Sequence, residues 1–194
     1  MKGKLSALAA SFTSYSLTWA GQVAVSIFLQ VYLYSLGYSL IEVGIVGGLI
    51  GGVTAAVQPI AGEAADLLRG KTQYLAALSV VSRGILVLLM MTYTSFPLEC
   101  AWASLYGAGT APFVPSTMSM VADETPDEKV GKSMGNFRMG GSLGWTVGNL
   151  IFGAVALKSI KDAFILASSF SLLSAIPLLM SRDTPAKTPV TKTQ

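Results

Sequence analysis

The sequence predicts an all-α membrane protein whose residues 1–181 form one domain of six transmembrane helices. Three observations carry this. Of 194 residues 52% are hydrophobic and only 12% charged, against about 25% charged in an average soluble domain. The apolar residues gather into runs at about 11–35, 41–62, 73–95, 99–121, 134–157 and 163–181, and crossing a hydrocarbon core takes about 20 helical residues. The charges fall mainly in the short breaks between those runs.

The same composition excludes several functions. There is no histidine, and Cys100 is the only cysteine, so no thiolate or imidazole cluster can hold zinc, copper or iron and no disulfide can form within the chain. No Ser/His/Asp or Cys/His set can be assembled either, so an enzyme is not expected. No glycine loop of the phosphate-cradling kind is present, and no cofactor is expected. The net charge of +3 is spread between apolar runs, which gives nucleic acid no surface. The expected surroundings are a lipid bilayer. Lys2 and Lys4 precede an apolar run with no evident cleavage site, so the first run reads as a retained span.

In the first run Tyr15, Thr18, Gln22, Ser26 and Gln30 follow steps of three and four, which places them along one helical stripe. Such a stripe is costly against lipid and should face protein or a water-filled cavity. Interhelical hydrogen bonding and substrate contact both fit. In the second run Gly44, Gly48 and Gly52 recur every four residues, the spacing that lets helix backbones approach closely, and Pro59 should loosen its last turns. A charged break from Pro59 to Lys71 reads as a tight loop at one bilayer face.

The third run carries Arg83 near its middle. A guanidinium there needs a partner or water, and both a functional and a snorkelling or structural role fit. The fourth run places Tyr106, Thr110, Phe113 and Thr117 at helical spacing, with Pro112 and Pro115 as bends. Cys100 reads as a small packing residue. After the polar stretch 122–132 the fifth run contains Arg138, Gly140, Gly141, Gly144, Gly148 and Gly153. Arg138, a second intramembrane charge, could also snorkel to the inner face. The sixth run has few polar residues beyond serines, and residues 182–194 read as a disordered cytoplasmic tail.

Gly62, Asp66, Arg69, Gly70 and Lys71, lying between a second and a third run, resemble the loop signature of the major facilitator superfamily of transporters, with Leu67 in place of its first basic residue and Gly70 one position late. Gly144, Gly148 and Gly153 resemble the helix-packing signature of antiporters in the same superfamily, with Asn149 where that pattern has proline and Phe152 where it has a glycine. The resemblance covers nearly the whole chain but half the family's usual length. It implies the N-terminal half of a facilitator fold, six helices as two inverted three-helix repeats, which the offset of three between polar runs one and four and glycine-rich runs two and five also suggests.

It further implies secondary active transport of a small-molecule substrate by rocking one half against another, with the second half supplied by a second copy or a separate chain. Substrate contacts would come from Tyr15, Thr18, Gln22, Gln30, Tyr106 and Thr110. Asp66 would hold the inner side of the two halves together. Bases cluster on one side (Lys2, Lys4, Arg69, Lys71, Lys129, Lys132, Arg182, Lys187, Lys192) and only Lys158 and Lys161 fall on the other, so both termini are expected in the cytoplasm of a multi-pass cell-membrane protein. The rival reading is a non-transporting membrane interaction or regulatory protein, or a truncated inactive remnant.

Overall fold

Serine caps and glycine turns divide the chain into helical rods. The computed structural model describes residues 5–92 and 95–181; the expected tail 182–194, with Lys2, Lys4, Tyr93 and Thr94, lies outside the described residues. Ser6 opens α1 (Ala7–Val23), its hydroxyl accepting from the Ala9 N–H at 3.2 Å. The rod continues through a π-helical segment, Ala24–Phe28, into α2 (Leu29–Ser35). Gly37, at φ 95°, makes the turn. Ser39 and Glu42 then form a reciprocal capping box that starts α3 (Leu40–Leu67).

Pro59 lies inside α3 without ending it. The run Ala61 to Leu67 is rich in strong helix formers, and a proline removes only one intrahelical donor. The loop expected over Pro59–Lys71 is therefore corrected to Leu68–Lys71, and both Gly62 and Asp66 are helical. α4 (Thr72–Thr92) follows. α5 (Phe96–Thr110) and α6 (Phe113–Glu124) are separated at Ala111–Pro112, the first of the two bends expected of the prolines. A 3₁₀ turn, Asp127–Lys129, leads into α7 (Val130–Ala156). Ser159 caps α8 (Ile160–Leu173), and α9 (Ala175–Leu179) follows a break at Ser174.

Among the described residues four rods are long and apolar enough to cross a membrane: Ala7–Ser35, Leu40–Leu67, Thr72–Thr92 and Ile160–Leu179. The six expected spans are matched on length and apolarity only in these four. α5 has 15 residues, which rise about 22 Å against a hydrocarbon core of about 30 Å, and α7 is long but diluted by glycine, serine, asparagine and Arg138.

The rods pair non-sequentially. α1 runs along α7 and touches α8, α3 runs along α5, and α4 packs on α8, α5 and α6. The α1–α7 seam depends on missing side chains: a Cβ at Gly148 would stand 2.6 Å from the Ala20 carbonyl oxygen, and one at Gly144 would overlap the Ser16 backbone. Gly153, expected in the same packing motif, has no described neighbour within 4 Å. Between α3 and α5 the Thr54 hydroxyl donates to Gly107 O at 3.0 Å. Two apolar clusters fill the interior, one around Leu33, Val46, Tyr106 and Phe164 and the other around Val80, Phe113, Phe137 and Leu178.

α3 is the least covered rod. Only 11% of its apolar window is buried, against 50% for the rod beginning at Ala7. The packing expected of Gly44, Gly48 and Gly52 does not occur among the described residues, since none has a neighbour there within 4 Å. Their small side faces leave a surface that none of the described residues covers.

Candidate functional site

At mid-length the α1 stripe meets polar groups from three other rods. Thr18 and Gln22 on α1, Thr54 and Gln58 on α3, Arg83 on α4 and Tyr106 and Thr110 on α5 line a cavity of about 330 Å³, with Trp19, Ile50, Phe113 and Val114 as its apolar walls. That volume lies at the lower end of ordinary small-molecule sites. The Tyr106 hydroxyl donates to Gln22 Oε1 at 3.0 Å, and Gln22 Nε2 donates to Ser26 Oγ at 3.1 Å. Thr18 donates to Ser174 Oγ at 3.0 Å, which ties α1 to the break before α9.

Arg83 is 5% exposed, so it does not snorkel. Its guanidinium lies over the Tyr106 ring, 5.7 Å from the centroid, a distance at which cation–π attraction operates. Its Nη2 has no hydrogen-bond partner among the described residues. This cation, read from the sequence only as an intramembrane charge, stands in the wall of the cavity.

Four of the six residues expected to contact substrate therefore converge: Thr18, Gln22, Tyr106 and Thr110. Tyr15 lines a neighbouring cavity of about 410 Å³ together with Trp19, Arg138, Ser142, Trp145 and Thr146. Tyr15 packs against Phe137 with ring centroids 4.0 Å apart, and Trp19 is common to both cavities. Gln30 is exposed beside Gly47 and lines neither cavity. The reason is the π segment at Ala24–Phe28, whose wider turn puts residues beyond it out of phase with the α1 stripe.

Asp66 sits in the last turn of α3, and its carboxylate meets Arg69 at 3.8 Å with 76% of the Asp66 side chain exposed. Gly70 takes φ 86° and makes the turn, while Gly62 is open and Lys71 follows at the helix start. Arg138 is exposed. Thr54 and Gln58, which sequence reasoning missed, could have been found as a polar i, i+4 pair within an apolar rod. Glu99 was missed as well: it is fully buried in the first turn of α5, and neither carboxylate oxygen has a partner among the described residues. The positive end of the helix dipole is its only evident compensation. No group of three or more acidic, cysteine or histidine side chains converges there.

The sequence model of the Major Facilitator Superfamily matches residues 9–194. The chain belongs to that superfamily. It is a multi-pass membrane protein of a transporter family and not an enzyme family. Two curated superfamily relatives are the multi-drug resistance efflux pumps PmrA from two strains of Streptococcus pneumoniae, each 29% identical over 168 residues, which cover 82% of this chain and 41% of the relative. The solved structures of a bacterial homolog of the human lysosomal transporter Spinster, inward-facing and either unoccupied or occupied, superpose with TM-scores of 0.76 at 18% and 17% identity. They cover 96% and 95% of this chain but 46% of theirs. The chain thus spans under half the length of the superfamily members it matches, and the structural likeness concerns the fold alone.

Whether Gln22 faces a water-filled cavity can be tested directly. In a Cys100→Ser protein, Gln22→Cys should react with a water-soluble maleimide while Leu29→Cys, buried in the core, should not. Equal inertness of the two would show a dry, purely structural stripe.

Proposed function

We propose that the chain is one six-helix half of a secondary transporter, completed by a second copy or a separate second half, that moves a small organic solute through the cavity at Gln22, Arg83 and Tyr106. The observation that carries this is the polar cavity at mid-length of a membrane rod, in a chain of a transporter superfamily. Polar side chains at such depth are expensive against lipid and mark pathways. The helix pairing supports two inverted repeats. Numbering the six rods in order, the pairs one–five, two–four and three–six map onto themselves when each rod is shifted by three, as two three-helix units require. Both termini lie in the cytoplasm on this reading, from the asymmetry of bases, and the membrane is the cell membrane.

The names of the pneumococcal relatives make drug efflux the first activity to test. Cells producing the chain should retain less of at least one fluorescent solute, drawn from a cationic, a neutral and an anionic dye, than cells carrying an empty vector. A Gln22→Ala/Tyr106→Phe variant should restore retention. Identical retention of all three dyes would sink transport by this chain. The uncovered face of α3 favours the rival in that event, a non-transporting protein that binds another membrane protein through that face.

A further inference from the structure

We infer that the cavity selects an organic anion, a carboxylate or a similar oxyanion on an apolar body, and that Arg83 is the group that recognises it. This rests on the transport reading and adds the substrate class. Arg83 is the one formally charged side chain in the cavity wall; no carboxylate and no lysine lines it. A guanidinium carries five N–H donors and no acceptor. Here it is buried, makes no ion pair with a described residue and leaves Nη2 unpartnered, with the face of Tyr106 as its neighbour. A cation at that depth is costly until an anion or water compensates it.

Most of the surrounding donors are already committed. Thr18 donates to Ser174, Tyr106 to Gln22, Gln22 to Ser26, Thr54 to the Ile50 and Gly107 carbonyls, and Thr110 to the Gly107 carbonyl. What the wall still offers is the guanidinium, with the Trp19 indole N–H, which has no partner among the described residues, and the Gln58 amide; of these only the guanidinium is charged, and its complement is an acceptor with negative charge. Trp19 and Phe113 meanwhile present apolar surface in the same wall, so the anionic group is carried on a ring or an alkyl body. A cationic amine, by contrast, would meet Arg83 with no acid to offset the repulsion.

The probes are naphthalene-2-carboxylate and its uncharged isostere naphthalene-2-carboxamide, tested by equilibrium dialysis against the full chain in a neutral detergent. The carboxylate should bind about tenfold tighter, the effect of one charge-assisted hydrogen bond. Arg83→Gln should bring the ratio to near one, whereas Arg83→Lys, which keeps the charge, should retain part of it. Equal binding of the two probes to the unaltered chain overturns the inference without needing any variant. So does a preference that survives Arg83→Gln. Displacement by phosphatidylglycerol but not phosphatidylcholine would assign the site to a lipid headgroup and overturn a soluble anion. If dyes are exported but the two probes bind equally, the anion inference alone fails. If the carboxylate is preferred but no dye is moved, transport alone fails. Absence of binding by either probe overturns the anion inference and leaves transport to the dye measurement.

Discussion

Gly148→Val is expected to prevent accumulation of folded protein, and Gly144→Val to do the same. At Gly148 a Cβ alone would stand 2.6 Å from Ala20 O and 2.8 Å from Ala20 Cα, and at Gly144 it would overlap the backbone of Ser16. These obstacles are backbone atoms of α1, which cannot rotate aside as a side chain can, so the helices must separate. Overpacking of this kind costs about 1–3 kcal/mol and more where no side chain can yield, a large part of the about 5–15 kcal/mol that holds most folds together. Gly153→Val, with no described neighbour within 4 Å, should stay within about 0.5 kcal/mol. Detergent size-exclusion profiles and melting curves of the three variants decide the point. Equal recovery of folded Gly148→Val and Gly153→Val would show that the α1–α7 seam does not govern stability.

Asp66→Asn is expected to raise the labelling rate of a Gln22→Cys reporter from the cytoplasmic side about tenfold, leaving yield and helicity unchanged. The exposed Asp66–Arg69 contact at 3.8 Å is itself worth only about 0–1 kcal/mol, so its loss in an isolated chain should be silent. A contact from Asp66 to a second half, made only while the inner side is shut, acts differently, because only a differential interaction moves a two-state equilibrium, and about 1.4 kcal/mol moves it tenfold. Glu128→Gln, an exposed acid in the turn before α7, is the control. Indistinguishable labelling in the two variants would reduce Asp66 to a surface charge and remove the switch role.

The helical class and the superfamily were legible in the sequence because apolar run length, breaker residues and two glycine signatures all point one way. Thr18 and Gln22 on α1, and Tyr106 and Thr110 on α5, were legible as cavity residues because helical spacing holds along each uninterrupted helix. Gln30 was not, since no residue in Ala24-Val25-Ser26-Ile27-Phe28 announces a π turn, and a stripe drawn through it at constant pitch ends on the wrong face. The glycines divide for a related reason. Spacing shows that Gly44, Gly48 and Gly52 could admit a close neighbour, but only tertiary structure shows that α1 uses Gly144 and Gly148 while the α3 stripe stays open. Arg83 was visible as a charge out of place, while its partner ring Tyr106 lies on another rod and at a sequence distance that no local pattern reaches. Glu99 stands at the edge of the fourth run, and its burial is not written in its neighbours along the chain.

The pairing of α1 with α7 also sets an order of assembly. Chains are made from the N-terminus, and domains organise as their parts become available. α1 enters the bilayer ahead of the other described rods, carrying Ser11, Ser14 and Thr18, all buried in the folded chain. Yet its close-fitting partner does not exist until synthesis has passed Gly148, and the serine that accepts from Thr18 comes later still, at Ser174. Contacts this distant along the chain are slow to form because their loops must close first. The nascent α1 therefore waits beside lipid or another protein for its contacts with α7 and Ser174, which close only once the sixth rod has been made.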